Sequence, residues 1–338
     1  MTFSGRRPPL HIGIRLREDR IVVHHLSYAE ALIVGAFQGI TELFPVSSLG
    51  HSVLIPALIG GQWARDLNVS APESPYLAFI VGLHVATAAA LLVFFWRDWI
   101  EVIAGFISSV RHRRVQTPAE RLAWLLVIAT IPVGIAGLAL EHLFRTTLGK
   151  PVPAAAFLIV NGVILLVGER LRQRREMSLA VASLPEGISR AAATQPSLES
   201  GVGRLSADDQ QIARQTMPQG VIIGSAQILA LLPGISRSGV TMVAGLLRGL
   251  SHAQAARFSF LLATPVILAA GVLKIPDLFG PLGEGIHGQV LAGSAASFLA
   301  ALFAVGFLTR YFQTRTLTPF AVYCMLAGAG SMIWLTTH

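Results

Sequence analysis

The polar residues best able to do chemistry lie inside long apolar stretches of the chain. Gln38 and Glu42 are four residues apart, so a helix would bring both side chains to one face, where they can converge on one ligand. An ionised carboxylate is costly in apolar surroundings unless it has a charged partner or a metal ion. Glu42 is therefore a candidate functional residue. The alternative is a structural carboxylate, protonated or paired with an arginine.

Two serines and a histidine follow Glu42 in the same apolar stretch. Ser47 and Ser48 come just after Pro45, where a helix interrupted by proline would restart. A hydroxyl at that point can cap the new helix, or act as a nucleophile if a base is close. His51 has the spacing to lie over the same turn. We favour catalysis over a cap and an interhelical hydrogen bond, because all three residues lie close to a buried carboxylate.

A second group of polar residues surrounds a Pro-Gly turn in another apolar stretch. It consists of Ser236, Arg237, Ser238 and Thr241. Arg237 lies mid-stretch, too far from either membrane surface for its side chain to reach water easily. A guanidinium with three hydroxyls at a restarting helix would bind an anion, because arginine pairs with phosphate through two hydrogen bonds. The alternative is an Arg237–Glu42 ion pair that joins the two segments.

Together, the two segments supply a carboxylate, hydroxyls, an imidazole and a guanidinium. This set suits phosphoryl transfer, which needs a nucleophile, a proton acceptor and positive charge. A phosphate ester within a membrane implies a lipid substrate.

The composition identifies the solvent around these residues as a bilayer. The 338 residues include 26 Lys or Arg and 18 Asp or Glu, or 13% charged residues, against about 25% in soluble domains. Hydrophobic residues make up 53% of the chain. The net charge of +8 is explained by membrane orientation, so we expect no nucleic-acid partner. The single Cys324 excludes an internal disulfide and a cysteine-based zinc site.

The apolar stretches predict an all-α, polytopic membrane protein with six spans. Two longer stretches, each broken by proline and glycine, predict re-entrant helix hairpins, since each half is too short to cross the bilayer. The order is a hairpin followed by three spans, and it occurs twice. Because three is an odd number, the second half begins on the opposite side of the membrane from the first, which makes an inverted-topology repeat. The sequence resemblance of Pro45-x-x-Ser48 to Pro233-x-x-Ser236 supports it. The predicted segments are a tail (1–27), a first repeat (28–168: hairpin 28–60, spans 75–96, 121–140 and 152–168), a cytoplasmic loop (169–219) and a second repeat (220–338: hairpin 220–249, spans 257–275, 288–309 and 318–336).

Arginine and lysine counts orient this topology. The loops 97–120, 169–219, 250–256 and 310–317 share one side and hold 13 Lys or Arg, against three in 61–74, 141–151 and 276–287. The positive-inside rule assigns the first set to the cytoplasm. The five arginines of the tail disagree, because a re-entrant first hairpin leaves the tail outside.

Other polar and small residues have ordinary explanations. We expect His84 and Asn161 to form interhelical hydrogen bonds, His84 near the site. Gly35-x-x-x-Gly39 and Gly245-x-x-x-Gly249 predict close helix packing rather than phosphate binding.

The two motifs resemble those of the undecaprenyl-diphosphate phosphatase family, also called the BacA type. The family pattern (E/Q)-x-x-x-E followed by P-V-S-S-x-G-H matches residues 38–51, and P-G-x-S-R-S-x-x-T matches residues 233–241. The likeness extends over about residues 28–336. Gln38 stands where many members have a glutamate, which weakens a two-carboxylate metal site.

The resemblance implies hydrolysis of undecaprenyl diphosphate to the monophosphate, which recycles the lipid carrier of peptidoglycan synthesis and gives bacitracin resistance. By matching motif positions, Ser48 would be the nucleophile, His51 its proton partner, and Glu42 and Arg237 further catalytic residues. Glu42 and Gln38 would bind a divalent cation, Mg²⁺ or Ca²⁺. The diphosphate would be bound by Ser47, Ser236, Arg237, Ser238 and Thr241.

The resemblance also implies partners and a location. The partners are the lipid substrate and the bilayer, with bacitracin competing for the substrate rather than binding the protein. A homodimer is compatible with it. The protein would lie in the bacterial cytoplasmic membrane, with its site facing outward. The alternative is a transporter or flippase of polyprenyl phosphate lipids, because inverted repeats with broken helices are typical of transporters.

Overall fold

A computed structural model describes residues 26–67, 75–182, 205–280 and 285–338. Across those ranges the protein is helical and contains no β-strand. The helices are α1 (Tyr28–Leu43), α2 (Ser48–Ile59), α3 (Gly61–Asp66), α4 (Pro75–Phe94), α5 (Trp96–His112), α6 (Pro118–Leu148), α7 (Pro151–Ala182), α8 (Ala207–Ala213), α9 (Met217–Ser225), a 3-10 helix (Ala226–Leu231), α10 (Arg237–Leu247), α11 (His252–Leu278), α12 (His287–Tyr311) and α13 (Thr318–Thr337).

Long apolar helices make this an all-α polytopic membrane protein, as predicted. Helices α6, α7, α11, α12 and α13 are each long and apolar enough to cross a bilayer, and the pair α4 and α5 forms a sixth candidate bent by 88°. Large apolar side chains cover the outside of these helices. Leu138, Leu291 and Leu326 are each at least 70% exposed, which only a hydrocarbon environment favours.

Two of the predicted loops are partly helical. Residues 97–120, predicted as a loop, contain most of α5, whose exposed Ile100, Ile103 and Ile107 form an apolar stripe at helical spacing. This pattern and the 88° bend before it are typical of a helix lying along the membrane surface. Helix α7 continues well past residue 168, where the segment 169–219 was predicted to begin. Most of the predicted tail, and residues 183–204 of that segment, lie outside the described residues.

Both broken stretches are interrupted at the predicted points. In the first, α1 ends at Leu43 and α2 begins at Ser48. In the second, α9 passes into the 3-10 helix and α10 begins at Arg237. We call α1 with α2 the first hairpin, and α9, the 3-10 helix and α10 the second hairpin. Their re-entry into the membrane and the repeat boundaries stay predictions.

Helix contacts between the two halves occur in matching pairs. Helix α1 packs against α12, and α9 packs against α6. Helix α4 packs against α12, and α11 packs against α6. Both first arms approach their partner through glycine, because a Cβ on Gly35 would overlap backbone of Gly293 and one on Gly224 would overlap backbone of Ala129. These pairs are the contacts that exchanging the two halves of a repeat would produce.

The register between the hairpins differs by one residue from the sequence match. Ser47 caps α2 by accepting a hydrogen bond from the Gly50 amide, and Ser236 caps α10 by accepting one from the Gly239 amide, each at 3.2 Å. Ser236 therefore corresponds to Ser47 and not to Ser48. In this register Gln38 and Gln227 both lie nine residues before the cap. The residue that corresponds to Ser48 is Arg237.

Glycine has different uses in the two small-residue motifs. Gly39 confirms the predicted close packing, since a Cβ there would overlap the Ser297 carbonyl of α12. Gly249 does not: it has φ +92° just after α10, and nothing lies within 4 Å of its missing side chain. It ends a helix, because a left-handed residue without a Cβ is suited to a C-terminal turn.

Candidate functional site

The site is built where the turns of the two hairpins meet. Ser47 has φ +71°, a strained value for a residue other than glycine. Its hydroxyl oxygen holds the turn by accepting hydrogen bonds from the amides of Gly50 and Gly234, both at 3.2 Å. A Cβ on Gly50 would lie 2.8 Å from the Cα of Gly234, so the two turns touch through backbone. The first residues of α2 and α10 are thereby held side by side.

Glu42 is the centre of the site, at the end of α1. Its Oε2 accepts a hydrogen bond from the Ser48 hydroxyl at 2.5 Å. Its Oε1 forms an ion pair with Nη2 of Arg237 at 3.0 Å. The carboxylate is buried, with 7% of the residue exposed. The predicted Glu42–Arg237 pair is therefore present, and it joins the hairpins through the same carboxylate that holds the candidate nucleophile.

Gln38 and His84 complete the surroundings of the carboxylate. The Gln38 amide donates to Glu42 Oε2 at 3.2 Å and lies 3.1 Å from Nε2 of His84. His84 Nε2 itself is 3.3 Å from Glu42 Oε2, while its Nδ1 donates to the Ile80 carbonyl at 2.8 Å. Its Nε2 can accept a hydrogen bond from Gln38, or donate to Glu42 once protonated. The His84 side chain is 27% exposed, the most open of those around Glu42.

His51 has hydrogen-bond partners away from Ser48. Its Nδ1 donates to the Ser47 carbonyl at 2.7 Å, so its Nε2 accepts from the Tyr323 hydroxyl of α13 at 2.8 Å. Its ring also lies near the rings of Phe37 and Tyr323. The structure thus brings Ser48 to Glu42. The His51 imidazole is instead hydrogen-bonded to Tyr323 of α13. The role of His51 as the proton partner of Ser48 therefore stays a prediction.

The remaining predicted hydroxyls support the turn of the second hairpin. Ser238 donates to the Phe44 carbonyl at 3.1 Å, and Thr241 donates to the Arg237 carbonyl at 2.7 Å. The Ser236 hydroxyl lies 3.0 Å from that of Ser238. These hydroxyls hold α10 against the first hairpin. Their predicted binding of a diphosphate stays a prediction.

Asn161 of α7 connects the two turns directly. Its amide nitrogen donates to the Pro45 carbonyl at 3.1 Å, and its amide oxygen accepts from the Ser236 backbone at 2.9 Å. It is fully buried. The sequence indicated an interhelical hydrogen bond at Asn161 and at His84, and both are confirmed. The partners on distant parts of the chain, including Tyr323, could be recognised only from the structure.

A match to a known family accounts for the two motifs together. Residues 31–330 match the family described as bacitracin resistance protein BacA. The chain belongs to the BacA family. The match includes every residue of the site described above, so the site is made entirely of BacA-family sequence.

Relatives of high identity carry one enzyme name. A protein named undecaprenyl-diphosphatase from Mycolicibacterium paratuberculosis is 70% identical over 311 residues, covering 92% of this chain and 98% of the relative. One named undecaprenyl-diphosphatase 2 from Frankia alni is 54% identical, covering 91% and 97%. One named undecaprenyl-diphosphatase from Granulibacter bethesdensis is 38% identical, covering 93% and 98%. The similarity extends over nearly the full length of each relative.

Proposed function

We propose that this protein is an integral-membrane phosphatase that hydrolyses undecaprenyl diphosphate to undecaprenyl phosphate and inorganic phosphate. The observation that carries the proposal is the Ser48 hydroxyl donating to Glu42 at 2.5 Å, beside a guanidinium on the other carboxylate oxygen. A buried serine with a base and a cation is the arrangement that phosphoryl transfer to serine requires. The names of the relatives supply the substrate.

In the first step the Ser48 oxygen attacks the terminal phosphorus of the diphosphate. Glu42 Oε2 takes the hydroxyl proton as the new O–P bond forms, since it already accepts that hydrogen bond. The bond from this phosphorus to the bridging oxygen breaks, and undecaprenyl phosphate leaves with the electron pair. In the second step water attacks the phosphoserine and the serine O–P bond breaks. Glu42 returns its proton to the serine oxygen, and inorganic phosphate leaves with the hydrogens of the water.

Arg237 would provide positive charge during both steps. At rest it balances Glu42, with Nη1 also 3.4 Å from the Ser259 carbonyl. A phosphate placed at Ser48 would share this guanidinium, because Ser48 and Arg237 are the first residues of adjacent helices. The N-termini of α2 and α10 also attract negative charge, because the helix dipole and the free amide groups of the first turn point toward it. The diphosphate would also be bound by the hydroxyl groups at the turns of the two hairpins, which belong to Ser47, Ser236, Ser238 and Thr241.

His84 would serve as a second base near Glu42. Its Nε2 lies 3.3 Å from the oxygen that receives the Ser48 proton, and its side chain is the most open of the group. His84 can therefore hold this proton between the two steps and return it to Glu42. For His51 to act on Ser48, as the family motif implies, its hydrogen bond to Tyr323 would have to break.

The residues around Glu42 fit a divalent cation that arrives with the diphosphate. Gln38 Oε1 is a buried oxygen without a hydrogen-bond partner, and Glu42 lies one helical turn away. The described residues contain no group of three or more His, Cys, Asp or Glu arranged for a metal ion. The diphosphate would therefore supply the remaining ligands, as substrate phosphates do for Mg²⁺. A bound Mg²⁺ or Ca²⁺ would neutralise diphosphate charge.

The setting of this reaction is a further part of the proposal. We place the reaction in the bacterial cytoplasmic membrane, where the diphosphate lipid is recycled for peptidoglycan synthesis. The arginine-rich loops favour a site open to the outer side of that membrane. Bacitracin resistance follows because hydrolysis removes the lipid for which bacitracin competes. The bilayer holds the isoprenoid chain. A homodimer stays a prediction.

Phosphate release from a polyprenyl diphosphate by the purified protein in detergent micelles tests the proposal. Micelles have no two sides, so a transporter produces no signal there. We expect release that depends on Mg²⁺ or Ca²⁺. Lack of release with both cations would contradict the phosphatase and leave the transporter as the alternative.

A further inference from the structure

A cavity of about 540 Å³ lies on an exposed face of α12, at the end of that helix that leads into α13. It lies apart from the buried carboxylate of the site and none of the proposed catalytic residues lines it. Its wall combines aromatic rings, a glycine and two arginines. The residues that matter are Phe303, Gly306, Phe307, Arg310, Tyr311 and Arg315.

The two arginines at the basic end of the cavity have no acidic partner among the described residues. Arg310 and Arg315 are both exposed, and neither forms an ion pair within the described parts of the chain. Residues 285–338 contain no Asp or Glu at all. Other arginines of this protein do have carboxylate partners, such as Arg257 with Asp209 at 2.6 Å. The two guanidiniums are therefore available to a negatively charged ligand.

The rest of the cavity is an aromatic surface that faces outward. Phe303 and Phe307 are 70% and 44% exposed and lie one helical turn apart, with ring centroids 6.5 Å from each other. The Tyr311 ring follows 5.6 Å from that of Phe307. Gly306 adds no side chain to this wall, and the Phe94 ring lies 3.7 Å from the position that its Cβ would take. This strip runs from the arginines toward the apolar middle of a membrane-spanning helix.

We propose that this cavity binds one phospholipid with an anionic headgroup. Arg310 and Arg315 would hold the phosphate, because guanidinium forms paired, charge-assisted hydrogen bonds with phosphate oxygens. An acyl chain would lie along Phe307 and Phe303. The end of a span is where a phospholipid headgroup lies, and paired cations there favour an anionic lipid over a zwitterionic one.

The bound lipid would also support the turn of the first hairpin. The Phe307 ring stacks on the Phe44 ring at 5.9 Å with an interplanar angle of 2°. Phe44 is two residues beyond Glu42, and its carbonyl accepts the Ser238 hydroxyl at 3.1 Å. Lipid against Phe307 would therefore hold Phe44 in place. This consequence rests on the proposed function, whereas lipid binding does not.

Lipid binding by the delipidated, full-length protein in zwitterionic detergent tests the proposal without any substrate. Phosphatidylglycerol and phosphatidylcholine with the same acyl chains are compared, so only the headgroup differs. We expect at least tenfold preference for phosphatidylglycerol, and at least tenfold weaker phosphatidylglycerol binding after Arg310→Gln with Arg315→Gln. Arg315→Gln alone, outside α12, should weaken binding several-fold. It provides the answer if the double variant fails to fold.

The matched control is Arg111→Gln with Arg114→Gln, which removes two exposed arginines at the end of α5. We expect this pair to change binding less than twofold. Equal losses in both pairs would overturn the proposal, because binding would then reflect overall charge. A greater loss of undecaprenyl phosphate binding than of phosphatidylglycerol binding in the Arg310→Gln with Arg315→Gln variant would also overturn it, since the cavity would then belong to the reaction product. None of these results depends on hydrolysis.

Discussion

Glu42 is surrounded by more hydrogen-bonding groups than any structural role needs. Ser48, Arg237, Gln38 and His84 all reach its two oxygens, although they come from four different helices. Glu42 and Arg237 are the two charged residues deepest within the apolar stretches, and the sequence offered an ion pair between them as an alternative to chemistry. The pair is present, and it positions the nucleophile. The structural and the chemical interpretations therefore apply to the same carboxylate.

We predict that Glu42→Gln lowers kcat far more than His51→Gln does. Glutamine keeps the shape of the side chain but accepts no proton, so loss of the base should cost about 10²–10⁴-fold. His51 donates and accepts hydrogen bonds away from Ser48, so its replacement should cost about tenfold or less through weaker support by Tyr323. The measurement is phosphate release at saturating polyprenyl diphosphate.

Thermal unfolding in detergent is the control, because Glu42→Gln also leaves Arg237 without its counterion. The reverse ranking, with His51→Gln the more damaging at normal stability, would show that the imidazole reaches Ser48 during turnover. Glu42 would then lose its assigned role as proton acceptor.

At the scale of the helices, Asn161 on α7 joins the turns of the two hairpins. We predict that Asn161→Ala lowers the unfolding temperature by several degrees. It leaves the Ser236 amide buried without a partner and the Pro45 carbonyl with only the weak Cys324 thiol as a donor. A buried backbone group without a partner costs about 1–3 kcal/mol. The control is Thr130→Val, which removes only a hydrogen bond within α6. An unchanged unfolding temperature for Asn161→Ala would mean that the turns hold together without it.

Glycine packing between α1 and α12 gives another prediction. Gly39→Ala should lower both the unfolding temperature and phosphate release, because the new Cβ would overlap the Ser297 carbonyl and push α1 from α12. Gly134→Ala is the matched control, since nothing lies within 4 Å of the missing Cβ. Alanine there should stabilise α6 slightly, by up to about 1 kcal/mol. Similar behaviour of the two variants would argue against close α1–α12 packing.

The apolar lengths and the proline and glycine positions were sufficient to predict the long apolar helices and both breaks. Side-chain spacing along one helix also predicted that Gln38 and Glu42 share a face. Long-range contacts could not be read in this way. Matching prolines placed Ser48 opposite Ser236, whereas the caps pair Ser47 with Ser236. The bend before α5 and the length of α7 depend on packing against other helices, which the sequence pattern does not contain.

At the scale of the molecule, matching contacts between the two halves bring the first residue of α2 and the first residue of α10 to the Glu42 carboxylate. The positive-inside rule predicts how this arrangement is oriented in the membrane. Cysteine labelling can test that orientation, because Cys324 is the only natural cysteine and is fully buried. We predict that Lys150→Cys, in the loop between α6 and α7, reacts with a membrane-impermeant thiol reagent in intact cells. Arg114→Cys, between α5 and α6, should react only after permeabilisation.

The unsubstituted protein is the control for this labelling and should not react. The opposite pattern would mean that the five arginines of the N-terminal tail, rather than the loops, set the orientation. The site would then open toward the cytoplasm.

The central claim is that the Ser48 oxygen attacks the diphosphate. Phosphate release by purified Ser48→Ala, with Ser52→Ala as the matched control one turn further along α2, tests it most directly. We expect Ser48→Ala to lose at least about 10³-fold in kcat while it still binds the substrate, because only the nucleophile is removed. Ser52→Ala should stay within a few-fold of the unsubstituted protein. Turnover of Ser48→Ala at that same level would contradict the account, since water or another hydroxyl would then be the nucleophile.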